Sequence, residues 1–265
     1  MPRRTPALYI GLLCLAAGGT STARAETLLL PAAADATLYE VAVGDMETAN
    51  SRGEHLFAGR IATSERRRAL LRFDLSAVPA GATITSAQLS LSLTRDPPNG
   101  TPITMRLVPV TAAWSEGPTD AGSPGGNGVL ASAGDPTWTQ RAFPATPWLA
   151  PGGDFVDVAS ASTQVNTVAR YQWGPGAGMT AQIQAWLDQP AINRGWLLIA
   201  DEAAGNTTAR RFASRESATP ADRPELRIEY TGGVPLPQAP SGIPALSAWA
   251  AALLVLVLML TRRRT

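Results

Sequence analysis

Ala87-Gln88-Leu89-Ser90-Leu91-Ser92-Leu93-Thr94 alternates apolar and polar residues without a break. With a side-chain period of two, Leu89, Leu91 and Leu93 fall on one face and Ser90, Ser92 and Thr94 on the other, the pattern of a strand covered on one side. Outward from this stretch, residues 69–73, 84–94, 103–108, 154–158, 196–200, 210–214 and 226–230 form short runs bounded by Gly, Pro, Asn or Asp and read as strands. The body is therefore expected to be all-β. One segment departs from this: residues 179–187 place Ile183, Trp186 and Leu187 at helical spacing and end before Pro190, predicting a short helix at one end of the strands. Residues 112–153 are rich in Gly, Pro, Ser and Thr. That span is too long for an idle connector, so it is expected to be functional or disordered. No internal repeat is visible, and residues 26–230 read as one domain.

Both ends of the chain carry address signals. Arg3 and Arg4 precede an apolar stretch at 8–17, and Ala23-Arg24-Ala25 has the small-x-small pattern of signal-peptidase cleavage. Residues 1–25 thus read as a signal peptide, cut between Ala25 and Glu26. At the other end a Pro/Gly-rich linker, 231–242, leads into Ile243-Pro244-Ala245-Leu246-Ser247-Ala248-Trp249, an apolar run to Leu260, and Arg262-Arg263-Arg264. Nothing from 243 to 260 is charged, and the run approaches the ~20 residues a helix needs to cross a hydrocarbon core. The arginine cluster resists translocation, so a transmembrane helix is expected with its C-terminus cytoplasmic and everything before Ile243 exported.

Charge narrows the partners. The chain has 22 Lys+Arg, all arginine, and 21 Asp+Glu. Arg3, Arg4, Arg24, Arg262, Arg263 and Arg264 lie in the terminal segments, which leaves 16 basic against 21 acidic residues in the body, a net of −5. Nucleic acid, which needs clustered basic residues, is excluded as a partner. The one basic run of the body, Arg66-Arg67-Arg68, stands at the foot of a predicted strand. The single cysteine, Cys14, lies inside the signal peptide, so the exported body must fold without a disulfide, and its size allows a sufficient core.

Two resemblances follow from these residues. The tail is similar to bacterial C-terminal sorting signals of the IPTL type, with Ala245 where that type carries Thr. This implies a Gram-negative-type envelope, at least transient residence in the inner membrane, and a membrane sorting protease that cuts near residues 243–249. In the body, Arg68-Ala69-Leu70-Leu71-Arg72-Phe73-Asp74-Leu75-Ser76 and then Val78-Pro79-Ala80-Gly81-Ala82-Thr83-Ile84 look like the signature hairpin of DNRLRE domains, grouped as carbohydrate-binding module family 96. Trp114-Ser115-Glu116-Gly117, Asp135-Pro136-Thr137-Trp138, Asn193-Arg194-Gly195-Trp196 and Phe212-Ala213-Ser214-Arg215-Glu216 follow in the family's order. From residue 35 to 230 the resemblance implies a jelly-roll-like antiparallel β-sandwich and binding of an extracellular or cell-wall polysaccharide, an acidic one among the options.

The residues themselves leave alternatives open. Trp138, Trp148 and Trp173 lie among Pro, Gly or Thr; each either offers an indole face to a sugar ring or folds back as an anchor. Arg141, between Trp138 and Trp148, and Arg215 are candidate clamps for a uronate carboxylate, and Arg215 with Glu216 equally reads as an ion pair. Trp186 and Trp196 read as core. Asp35, Asp45, Glu47 and Asn50 form an oxygen-rich stretch for a structural Ca2+, without the regular spacing of a calcium loop. Catalysis finds little support: His55 is the only histidine, no Gly-x-Ser-x-Gly elbow occurs, and the carboxylate neighbours Asp154/Asp157 and Asp201/Glu202 reveal nothing by spacing alone. The expectation is a non-catalytic exported polysaccharide-binding module. The competing readings are a structural surface or matrix protein recognising another protein, and a polysaccharide-cleaving enzyme.

Overall fold

The computed structural model describes residues 24–234 except 43, 96–99 and 204–206. The expected signal peptide up to residue 23, most of the expected linker, and the tail with its expected sorting motif and apolar run lie outside the described residues. Among those described, no helix is long and apolar enough to cross a membrane.

Strands β1 (Ala25–Tyr39), β2 (Thr48–Asn50), β3 (His55–Arg60), β4 (Arg66–Phe73), β5 (Ala82–Ser92), β6 (Ile103–Pro109), β7 (Val129–Leu130), β8 (Gln140–Ala142), β9 (Thr146–Pro147), β10 (Ala161–Val165) and β11 (Arg170–Trp173) precede the helix α1 (Ala177–Asp188). Strands β12 (Trp196–Ile199), β13 (Arg210–Ala213) and β14 (Glu225–Gly232) follow it. The body is all-β and antiparallel. Its main path runs β10-β6-β12-β4-β1-β14-β5-β11, with β3 and β13 attached beside β4, β2 and β7 beside β1, and β8–β9 as a separate ribbon.

Strand β1 organises this path. Its first half, Ala25 to Pro31, pairs with β14, and its second, Ala32 to Tyr39, with β4; the register slips between Ala32 and Ala34, where the change of partner occurs. A bulge of this kind bends a strand and lets it serve two walls. The two ends of the path, β10 and β11, are consecutive in sequence, and the Thr163 hydroxyl donates to the Gln172 carbonyl between them. The sheet therefore curls until its ends meet. One core fills the space between its walls: Leu71, Phe73, Met105, Leu107, Trp196 and Leu198 from one side, and Leu89, Leu91, Trp173, Leu226 and Ile228 from the other. Each such side chain removed from water contributes roughly 1.5–3 kcal/mol before entropy is counted.

The β5 alternation is present, but with a difference. Leu89, Leu91 and Leu93 are buried as the period requires, yet Ser90 and Ser92 are buried too. The outer face of β5 is covered: Arg170, paired opposite Ser92, donates to its hydroxyl at 3.1 Å. Residues 154–158 form no strand and keep only a bridge from Phe155 to Val110. The helix extends two residues earlier than its spacing suggested, to Ala177, and buries Met179, Ile183 and Trp186.

Residues 112–153 build a second core on the outer face of β1, β4 and β12. Trp114, Trp138 and Trp148 pack there on Leu38, Leu70, Val108 and Leu197. The long span is thus neither disordered nor a loose loop; three indoles fasten it to the sheet.

Candidate ligand-binding site

The tryptophans expected to offer open faces do not. Trp138 is 4% exposed, Trp148 5% and Trp173 0%. Each finds an internal use for its indole. The guanidinium groups of Arg66 and Arg68 lie 4.8 and 5.0 Å from the Trp138 ring centre. Trp148 donates through Nε1 to the Thr137 carbonyl at 2.9 Å, and Trp173 to that of Met105, also at 2.9 Å. The physical reason is that a buried indole with its N–H satisfied contributes far more than one left in water, and a span of this length needs such anchors. Arg141 is half-buried and donates to the Ala113 carbonyl at 2.8 Å, tying the span to itself.

Arg215 is a structural residue in this geometry. Its Nε and one terminal nitrogen grip both oxygens of Glu116 at 2.7 and 2.5 Å, and Glu216 lies 3.0 Å away. Asp35, Glu116 and Glu216 bring one oxygen each to within 4.8 Å of one another. Asp35 is pushed well above the usual carboxylate range, by burial first and then by Glu216, against the hydrogen bond from the Arg215 N–H. Glu216 is raised as well, again mainly by burial. Glu116 also takes the Asp35 N–H at 2.7 Å and faces Arg52 at 3.2 Å, so its oxygens are engaged, and the group works as an ion-pair network joining four segments of the chain. The stretch expected to gather oxygens for Ca2+ does not converge. Asp35 belongs to this network, Asp45 is exposed, Glu47 accepts from the Thr139 hydroxyl, and Asn50 binds the N–H groups of Gly53 and Ala121.

The carboxylate neighbours are likewise occupied. Asp154 accepts from the backbone of Leu149 and Ala150, Asp157 pairs with Arg106 at 2.7 Å, and Glu202 pairs with Arg68 at 2.7 Å.

The arrangement with open chemistry lies elsewhere, on the outer face of β3 and β13. Phe57 and Arg211 are directly paired across the two strands, so their side chains share a face. They line a pocket of about 380 Å3 together with Arg95, Thr63, Asn127 and Thr207. Among the described residues no carboxylate lines it. Arg211 donates through Nε and one terminal nitrogen to the hydroxyl and carbonyl oxygen of Thr94, at 3.0 and 2.8 Å, which fixes its plane. Its proton affinity is lowered, by burial first and then by the positive charge of Arg95. His55, two residues before Phe57 with ring centres 6.4 Å apart, is held below the usual imidazole range by burial and by Arg211. Phe57 is half-exposed and backed by Tyr39 at 6.4 Å.

Arg95 and Arg211, with no carboxylate among the described lining residues, next to a partly open aromatic ring and three exposed hydroxyl- or amide-bearing side chains, suit a ring-shaped anion. The sequence reading missed this group. Its only early signal was strand 210–214, whose alternation sets Arg211 opposite in face to Phe212; the approach of Arg95 and Phe57 depends on pairing across distant segments. No protein-family model matches the chain, and no curated protein matches it.

Proposed function

We propose that this chain is an exported, cell-envelope-associated module that binds an extracellular or cell-wall polysaccharide without cleaving it, and that the pocket of Phe57, Arg95 and Arg211 is where the glycan sits. The reading assigns the body to the DNRLRE type, as a jelly-roll-like β-sandwich, and the tail to the sorting signals cut by a membrane protease. The observation that carries it is the placing of Arg95 and Arg211 beside Phe57 in a pocket with no carboxylate among its described lining residues, in a body whose net charge is −5. Guanidinium groups pair with carboxylates in a planar, directional way, while the Phe57 ring supplies a face for sugar C–H groups. An acidic glycan uses both. The engagement of Asp154, Asp157 and Glu202 in hydrogen bonds and ion pairs supports a binding role over general acid-base chemistry.

Titration calorimetry of the purified protein with matched acidic and neutral oligosaccharides tests the assignment. Arg211→Gln should weaken the acidic ligand by about tenfold or more, the worth of a hydrogen bond to a charged group, and leave the neutral one unchanged. Phe57→Ser should weaken both. Arg95→Gln, at an exposed position with no cost to folding, should repeat the Arg211 result. Parent-like binding by all three variants, with binding itself retained, would place the glycan elsewhere; no binding to any oligosaccharide would remove the function.

A further inference from the structure

The chain holds one histidine, and the fold sets it beside the pocket of Phe57 and Arg211. On β3, His55 and Phe57 are two residues apart and project on one face. Across the ladder Phe57 is paired with Arg211 and His55 with Ala213, which puts His55 on the diagonal to Arg211. Diagonal neighbours on a sheet face lie roughly 7–8 Å apart, a separation over which one charge acts on another. His55 is half-buried, and its Nδ1 is enclosed without a hydrogen-bond partner. The charged groups that act on it are Arg211 from β13 and the exposed Glu54 next to it in sequence.

Enclosure and the positive charge of Arg211 both disfavour the imidazolium and outweigh Glu54, so His55 is neutral at pH 7. An anion seated on Arg211 removes one of these obstacles, because its charge offsets that of the guanidinium. The imidazolium then forms more readily. Linkage makes the effect mutual: an anion that eases protonation of His55 is itself held more tightly, by the same factor, once His55 is protonated.

We propose that His55 couples capture of the acidic glycan to a proton: on mild acidification it becomes a further cationic group behind Phe57 and Arg211, and the pocket holds a uronate chain more tightly at pH 5.5 than at pH 7. This deepens the glycan reading of the pocket and rests on it. Ordinary carboxylates lose their charge only around pH 4, so the ligand is still an anion at pH 5.5. One unit charge about 8 Å away, screened between the protein-surface and bulk-water limits, changes affinity by about two- to tenfold.

Uronate oligosaccharides of the galacturonate, glucuronate and mannuronate series serve as probes, at constant ionic strength. Because the chain has a single histidine, the full-length protein labelled with ring-13C histidine in detergent micelles gives one imidazole signal, whose pH midpoint reads His55 directly. A saturating probe should raise that midpoint by about 0.3–1 pH unit in the parent, the equivalent of a two- to tenfold coupling, and should cause no such rise in Arg211→Gln. Calorimetry should show the matching gain in affinity from pH 7 to pH 5.5. Asp35 and Glu216, both raised, also take up protons in acid and make the body less negative, so His55→Gln separates the two causes: it should lose most of the gain. A probe that binds without moving the midpoint, or a gain that His55→Gln keeps in full, would overturn the coupling and leave the glycan reading standing. No binding of any of the three series at either pH would overturn both.

Discussion

At the scale of single residues, the tryptophans show how burial decides between two uses of one side chain. Trp173 is enclosed, hydrogen-bonded through Nε1, and set edge-on to Phe212 at 6.1 Å. Trp173→Ala should cost about 3–5 kcal/mol in denaturant unfolding, the range for emptying an aromatic site, and should affect glycan binding only through lost folded protein. Titratable residues give a second test, with opposite signs. His55 is held below its ordinary value of about 6.5, so the stability it contributes is present above that pH and is lost as pH falls through the folded value. Asp35 is raised, so its contribution is full below about 3.9 and is lost as pH rises through the folded value, which makes the buried carboxyl a net cost at neutral pH. His55→Gln should therefore flatten the loss of stability between pH 7 and pH 5. Asp35→Asn keeps an acceptor for the Arg215 N–H; it should raise the melting temperature at pH 7 and lose that gain on acidification. A gain that persists at pH 3 would show that the charge is not its cause.

At the scale of elements, what the sequence revealed depended on whether the signal was local. Strands β4, β5, β6, β12, β13 and β14 all announced themselves as apolar runs between turn residues, and α1 by its spacing. Strand β1 did not, although it is the longest at 15 residues. Its Pro31-Ala32-Ala33-Ala34-Asp35-Ala36 centre has little strand propensity, and it is strand only because β14 and β4 supply partners from far along the chain. Residues 154–158 fail for the converse reason: an apolar, alternating look without a ladder to join. The candidate site was less legible still, because Phe57 and Arg211 meet only through the β3–β13 pairing. That pairing rests on a backbone detail. Gly59 closes β3 at φ +116, and a Cβ there would lie 2.5 Å from the Thr208 carbonyl oxygen. Gly59→Ala should destabilise by about 1–3 kcal/mol and loosen the 207–211 wall, so glycan affinity should fall with thermal stability, whereas Arg95→Gln should lower affinity alone.

At the scale of the whole molecule, the proposed anion pocket on a body of net charge −5 sets two electrostatic effects against each other. On the proposed function, the long-range field should repel an acidic glycan and slow encounter, while Arg95 and Arg211 should act only at contact and govern how long the complex lasts. Salt separates them, since the screening length shortens from about 30 Å at 0.01 M to about 8 Å at 0.15 M ionic strength. Raising salt over that range should increase the association rate, as repulsion is screened, and also increase the dissociation rate, as the contact pairs weaken. For neutral glycans neither rate should move. In the double variant Arg95→Gln/Arg211→Gln the salt effect on dissociation should disappear, while the gain in association rate should persist and grow, because the body is then two charges more negative. Surface-binding kinetics with an immobilised acidic glycan at both salt concentrations distinguish the cases: an association rate that falls with salt in the parent would mean that the pocket itself steers the ligand, and that the net charge of the body plays no part in capture.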